Sequence, residues 1–238
     1  MRRIGWTLFS GADMEIELIH GDCFVLNDQI PSESVDLIVT DPPYGMSFQS
    51  GTRKVNKHKK IENDNNIDWL PNWMSQQYRI LKDNSHAYMF CSIHHFDSFK
   101  KYAVEVGFKF KDFLIWDKKN NAGLGDLDGG YFPQYEFIMY LHKGRRLLNG
   151  KREGNIIRCD RTRTEHHPTE KPVNLMQFLI EKSSNRGDLI LDNFFGSGAT
   201  AIACHNTGRR FLGHEIDKER FDSAQKRVSM LLTQSTLF

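Results

Sequence analysis

The chain has 238 residues, 39% of them hydrophobic and 26% charged, with a formal net charge of +2. That length suits one large domain or two small ones with a substantial core, and the composition is that of an ordinary globular protein. No apolar run approaches the roughly 18 residues of a membrane span. The apolar part of the opening "MRRIGWTLFSGADM" is too short and interrupted for a signal peptide. Four scattered cysteines (Cys23, Cys91, Cys159, Cys204) without C-x-x-C spacing suit a reducing cytoplasm.

Taken in chain order, short apolar, β-branched or aromatic runs end in polar or glycine signals and read as strands at 16–22, 35–41, 86–92, 110–118, 135–143, 188–194 and 209–217. Helical patterns lie between several of them: "WLPNWMSQQYRILK", "IHHFDSFKKYAVEVG", "PVNLMQFLIEKSSNRG", "GATAIACHNTG" and "DKERFDSAQKRVSMLL". Strands alternating with helices of this length predict an α/β fold with a doubly wound, mostly parallel sheet. Met14 closely precedes the first strand, so residues 1–13 read as an extension outside the core and 14–238 as one domain. Two segments break the rhythm: a Gly-, Lys- and Asn-rich stretch at 45–68, read as a mobile basic loop, and the stretch 118–165, read as an inserted recognition segment. Each carries a basic run, "RKVNKHKK" at 53–60 and "KGRRLLNGKREGNIIRCDRTR" at 143–163. Single runs are ordinary solvated loops; two of them hint at a phosphate backbone as partner.

Two motifs carry chemistry. "TDPPYG" (40–45) follows the buried run "VDLIV", and two prolines there stop a strand because neither can donate to the ladder. "LILDNFFGSGAT" (189–200) is a strand, an acid and a Gly-x-Gly turn opening a helix, where the backbone approaches a ligand closely. One strand later, "FLGHEID" ends near Glu215, where nucleotide-binding α/β folds grip ribose hydroxyls. Asp22, Asp41, Asp192 and Glu215 all stand at the carboxyl ends of predicted strands, which share one edge in a parallel sheet. Four distant acids are therefore expected to face one crevice.

The set "DPPY" (41–44), "HHPTEKP" (166–172) and "DNFFGSGAT" (192–200) resembles the beta group of S-adenosylmethionine-dependent DNA amino-methyltransferases, with the catalytic motif first and the glycine motif last. The likeness runs from about residue 16 to 230. It implies a permuted Rossmann-like methyltransferase fold and S-adenosylmethionine as cofactor. It also implies a catalytic Asp41-Pro42-Pro43-Tyr44, with Asp41 beside the cofactor as well. Phe194, Gly196, Ser197 and Gly198 would form the cofactor loop, with Asp192 at its base. Glu215 would take the ribose, Ile216 would lie beside the adenine ring, and Asp22 and Cys23 would sit against that ring. Thr169, Glu170 and Lys171 would lie near the cofactor, ahead of a helix that Pro172 starts. The chain departs from the family pattern at Asn193, usually proline, and at Ala199, usually threonine.

The motif suits amine methylation. An exocyclic amine is a poor nucleophile whose lone pair must be aimed at the methyl donor. Asp41 can accept one N–H and a stiff proline carbonyl the other, which is positioning plus electrostatics. A base in a duplex must first be flipped out at a few kcal/mol, and stacking on Tyr44 would return about 1–3 kcal/mol. The expectation is N6-adenine methylation of DNA, since aspartate at the first motif position leans towards adenine. N4-cytosine is the nearest rival, and an RNA methyltransferase or a silent DNA-binding module stands further off. A nicotinamide dehydrogenase would carry its G-x-G-x-x-G after the first strand, where this chain has "GDCF". There is no Pro-Cys motif for carbon-5 cytosine chemistry. The pairs His94–His95 and His166–His167 have no spacing that completes a metal site, so no metal is expected. Lys54, Lys57, Lys59, Arg145, Arg146 and Lys151 are the candidate phosphate contacts. Related enzymes are often dimers, so a homodimer is open; a restriction partner, phage protection and an orphan role are equally open.

Overall fold

The computed structural model describes residues 6–11, 14–43, 66–119, 129–131, 134–161 and 170–235. The elements in chain order are β1 (Trp6–Gly11), β2 (Met14–His20), α1 (Cys23–Asn27), β3 (Val35–Thr40), α2 (Leu70–Ile80), β4 (Leu81–Cys91) and α3 (Phe96–Glu105). They continue with β5 (Lys109–Asp117), β6 (Tyr135–Lys143), β7 (Ile156–Arg158), α4 (Val173–Ser183), β8 (Leu189–Asp192), α5 (Ala199–Thr207), β9 (Arg210–Glu215) and α6 (Lys218–Ser235). Among the described residues nine strands form one sheet, ordered β1-β2-β9-β8-β3-β4-β6-β5-β7. β2, β9, β8, β3 and β4 run parallel, β6 runs antiparallel to β4 and β5, and β1 runs antiparallel to β2.

The sheet is buried on both faces, which explains why its central strands read as near-continuous apolar runs. Alternation sorts side chains strictly by face. Leu37 and Val39 of β3, Tyr88 and Phe90 of β4, and Ile138 and Tyr140 of β6 pack with Leu175, Ala201 and Phe221 of α4, α5 and α6. Ile38, Ala87, Met89, Met139 and Leu141 point the other way, onto Cys23 of α1, Trp73 of α2 and Phe99 of α3. α5 is buried on nearly every side, and its sequence "ATAIACHNT" accordingly shows no polar stripe.

Two sequence expectations change here. Residues 1–13 are not wholly outside the core: β1 pairs with β2 from Met14 to Ile19, Phe9 packs on the core, and the Gln225 amide bonds the Thr7 hydroxyl. The stretch 118–165 is not a single insertion either, because β6 lies inside the sheet and β7 pairs with β5. The basic loop expected at 45–68 lies outside the described residues as far as residue 65.

At the sheet end opposite the strand C-termini of β3 and β8, two histidines are sealed in. His86 Nδ1 lies 2.7 Å from Ser183 Oγ, which the Tyr88 hydroxyl also meets at 2.7 Å, and the His142 ring centroid lies 4.2 Å from that of His86, with the planes tilted by 41°. Burial, then the neighbouring His142, depresses His86 to about 3, and burial lowers His142 to about 4. The unfolded chain takes up protons on both rings as pH falls below about 6.5, while the native chain does not until much lower. This contribution to stability is therefore complete above pH 6.5 and is lost progressively towards pH 4. The urea midpoint should fall between pH 7 and pH 4.5, and fall less in a His142→Gln variant; equal declines in both proteins would contradict the assignment.

Candidate active site

The carboxyl ends of β2, β9, β8 and β3 form one rim, and Asp22, Glu215, Asp192 and Asp41 stand on it in that spatial order. Each acid is held differently. Asp22 caps α1, accepting the Phe24 N–H at 2.9 Å. Asp192 is almost fully buried and accepts three hydrogen bonds, from the Thr40 hydroxyl at 2.9 Å, the Thr200 hydroxyl at 2.7 Å and the Phe194 N–H at 3.1 Å. Burial raises its pKa to about 6 against those donors. It thus fastens β3, β8 and α5 together beneath the glycine turn. Glu215 accepts the Gly196 N–H at 3.0 Å on one oxygen and the Asp217 N–H at 2.9 Å on the other, and burial raises its pKa too.

In the turn itself, Gly196 has φ +50° and Gly198 φ +80°, left-handed geometry that other residues adopt at a cost. A Cβ built on Gly196 would meet nothing closer than 3.9 Å, so the backbone there faces open space. Arg227 of α6 donates to the Ser197 carbonyl at 3.1 Å and pairs with Glu170 at 2.7 Å, joining the turn to the segment ahead of α4. Asn193, where the family pattern has proline, is nearly fully buried. Its oxygen accepts from Trp73 Nε1 at 3.0 Å and Asn27 Nδ2 at 3.3 Å, and its amide donates to Asn27 Oδ1 at 3.0 Å and reaches His214 Nδ1 at 3.1 Å. A proline would satisfy none of these. The departure is compensated by a polar network across α1, α2 and β9.

Asp41 is the centre of a charged chain. Its Oδ2 lies 2.5 Å from Lys171 Nζ, which is also 3.1 Å from Glu136 Oε2. Glu136 Oε1 lies 2.6 Å from Lys118 Nζ. Burial alone would lower the Lys171 pKa, but Asp41 and Glu136 outweigh it and hold the ammonium above the ordinary lysine range. Burial would raise Glu136, but Lys171 and Lys118 hold it below the ordinary carboxylate range. Lys171 also sits 4.8 Å over the Phe90 ring. Pro42 is buried directly behind Asp41.

The structure brings Asp22, Asp41, Pro42, Pro43, Glu170, Lys171, Asp192, Phe194, Gly196, Ser197, Gly198, Glu215 and Ile216 to this rim or directly beneath it. Cys23 follows Asp22 but turns its thiol into the core, where burial pushes its pKa far up. Pro172 is the N-cap of α4 rather than its first helical residue. Tyr44, Lys54, Lys57, Lys59 and Thr169, with His166 and His167, lie outside the described residues. Arg145, Arg146 and Lys151 are not brought to the rim. β6 runs antiparallel, so they follow its far end: the Arg145 N–H bonds Asn84, Arg146 pairs with Asp188 at 3.8 Å, and the Lys151 carbonyl accepts from Lys182. β5 runs antiparallel to β6 and β7 runs parallel to β5, so Lys119 and Arg158 come to the side of the sheet that carries Asp41 instead. Sequence reasoning missed Glu136, Lys118 and Arg227. The signal for the first two was a charge sharing strand parity with buried Ile138 and Trp116. Among the described residues no group of acids, histidines and cysteines could hold a metal ion, and no helix is long and apolar enough to cross a membrane.

The fold and rim define an α/β methyltransferase-type protein. The DNA methylase family of N6 and N4 methyltransferases matches residues 35–157 and 146–226. YubD of Escherichia coli is 31% identical over 211 residues, covering 89% of each chain. The type II methyltransferase M2.DpnII of Streptococcus pneumoniae is 30% identical over 238 residues, covering 89% of this chain and 88% of that one. The solved M1.HpyAVI–SAM complex superposes with a TM-score of 0.69 at 29% identity, over 89% of this chain and 99% of that one. The cytosine-N4-specific PvuII DNA methyltransferase has a TM-score of 0.73 at 18% identity, over 89% of this chain and 86% of that one, which shows a shared fold. The chain belongs to the N6/N4 DNA methylase family and is an S-adenosylmethionine-dependent DNA methyltransferase.

The residues present fit that donor. Glu215 spends one acceptor site per oxygen on backbone N–H groups, and its remaining lone pairs are of the kind that would accept from ribose hydroxyls. The turn at Gly196 faces open space, and the acids of the rim suit a cationic sulfonium. Because Thr200 donates to the buried Asp192, a Thr200→Val variant should lose about 1–3 kcal/mol in urea unfolding at pH 7.5. The loss should shrink at pH 5, below the Asp192 pKa of about 6, where the carboxyl carries its own proton. A loss that stayed constant with pH would contradict this role.

Proposed function

We propose that the chain methylates the exocyclic N6 of adenine in DNA at a specific sequence, acting on a base extruded from the duplex. The observation that supports this most is Asp41, in "DPPY", on the same rim as the glycine turn and Glu215, with one carboxylate oxygen gripped by Lys171. The donor, when bound, supplies an electrophilic methyl group. The chain's own residues orient the amine: Asp41 Oδ1 accepts one N–H, the Pro42 carbonyl accepts the other, and the nitrogen lone pair is left aimed outward. As positive charge grows on that nitrogen, the Asp41 carboxylate is already placed against it and needs no reorganisation. Tyr44 stacks on the extruded base. Aspartate rather than serine at position 41 favours adenine over cytosine, although both bases present the same amine.

DNA phosphates on this reading meet Lys119 and Arg158 beside the rim, whose side chains are 46% and 75% exposed, together with Lys54, Lys57 and Lys59, which follow the motif in sequence. The occurrence of type II methyltransferases among the relatives supports a role beside a restriction activity.

Nucleoside mass spectrometry after incubation of unmethylated genomic DNA with S-adenosylmethionine should find N6-methyladenine. N4-methylcytosine in its place would overturn the choice of base. Asp41→Ala should lower the rate on the order of 10²-fold or more. In binding measured against salt, Lys119→Ala with Arg158→Ala should flatten the slope of log K by about 2. Arg145→Ala with Lys151→Ala should leave it unchanged, and the reverse pattern would place DNA on the other edge.

A further inference from the structure

The Asp41–Lys171 pair does not end at Lys171. Strand parity turns Glu136 to the face that carries Ile138 and Tyr140, and Lys118 to the face that carries Trp116, which is the face α4 covers. The segment leading into α4 carries Lys171 onto the same face. Lys118, Glu136, Lys171 and Asp41 therefore lie in one line, at 2.6, 3.1 and 2.5 Å, with charges that alternate and cancel. The Lys118 and Lys171 side chains are only 11% and 8% exposed, against 24% for Glu136 and 27% for Asp41, so the two ammonium groups are held mainly by their carboxylates.

We propose that Lys118 is a positioning residue for methyl transfer, acting through Glu136 and Lys171 to fix the direction in which the Asp41 carboxylate faces. This rests on the reading that Asp41 holds the target amine. Lys171 is shared between two carboxylates, and its place is set by the balance of their pull. Lys118 neutralises Glu136 and so weakens the pull away from Asp41. Without Lys118, Glu136 draws Lys171 towards itself and Asp41 loses the partner that fixes its Oδ2.

Directly after β5, Lys118 faces Glu136 and lies 5.2 Å from the Trp116 ring. On β6, Glu136 faces both lysines. Ahead of α4, Lys171 faces Asp41, Glu136 and the Phe90 ring of β4. Beside Asp41 stand the Cys91 thiol of β4 and the Asp192 carboxyl of β8, each pushed up first by burial and further by the Asp41 charge. Among these, the cation that answers Glu136 from the side away from Asp41 is Lys118.

The test is a set of three variants, Lys118→Met, Lys118→Arg and the double variant Lys118→Met with Glu136→Gln, assayed by methyl incorporation into unmethylated genomic DNA whichever base accepts it. Lys118→Met should lower kcat about 10- to 100-fold with KM for S-adenosylmethionine within about 2-fold. The acid limb of its kcat profile should move up by about one pH unit, because a carboxylate losing a cationic partner binds its proton more tightly. Lys118→Arg should restore both. The double variant, which removes the cation and its carboxylate together, should return the acid limb to its original place. A carbon-13 titration of the Asp41 carboxyl, assigned with Asp41→Asn, reads the same shift without any turnover. If the wild type transfers no methyl but the titration moves as described, the functional reading falls and the charge chain stands. If the Asp41 titration is the same in the wild type and Lys118→Met, the proposal is overturned, as it is if kcat falls with no change in pH profile.

Discussion

Two oppositely charged side chains 130 residues apart in sequence, Asp41 and Lys171, touch beneath the surface of the rim. A buried ion pair is costly to form and costlier to break from one side, by about 3–5 kcal/mol. The chain must therefore hold both groups, and their further partners, where each charge is answered. It does so with strand order. β4 lies between β3 and β6, so the end of β6 that carries Glu136 comes level with the end of β4 and within reach of the residue after β3. α4 then covers that face and its leading segment lowers Lys171 between the two acids. Asp41 after β3 and Lys171 ahead of α4 are thus a single electrostatic unit delivered by two distant stretches.

The donor half of the rim is organised around hydrogen bonds rather than ion pairs. Asp192 and Glu215 face backbone and hydroxyl donors, and burial raises the pKa of both. Such acids are scaffolding for a turn whose glycines bend the backbone away from them. The contrast is physically sensible. On the proposed function, a rim that takes a cationic donor gains from carboxylates, whereas a residue that orients a neutral amine needs its own direction fixed. Asn193 belongs to the scaffold as well: its four contacts tie the turn to helices on the opposite face, and they explain why this chain can do without the family's proline.

The fold was legible because its strands are short apolar runs punctuated by glycine and acid, and because helices with clear patterns separate them. All seven expected strands and five expected helices form. β1 was not legible, since "WTLFSG" is as short as a turn-flanked loop and has meaning only once β2 offers an edge. Nor was β7, three residues whose strand character comes from β5. In the site, the acids at strand ends were readable because a parallel sheet has one carboxyl edge. Arg145, Arg146 and Lys151 were misplaced for the same reason in reverse: β6 is antiparallel, and the residues after it leave from the far side. Glu136 and Lys118 could be read as inward-facing charges, but their partners depend on which strands are neighbours in space, which sequence periodicity does not encode.

The central claim is that the Asp41 end of β3 and the glycine turn after β8 serve one cavity. The most direct measurement is a crystal structure with sinefungin, an unreactive amine analogue of the methyl donor. The account predicts its ribose on Glu215, its amino-acid portion along Phe194 to Gly198, and the amine that replaces the transferable methyl directed towards Asp41. Sinefungin bound with that amine pointing away from Asp41, or seated elsewhere on the sheet, would contradict it.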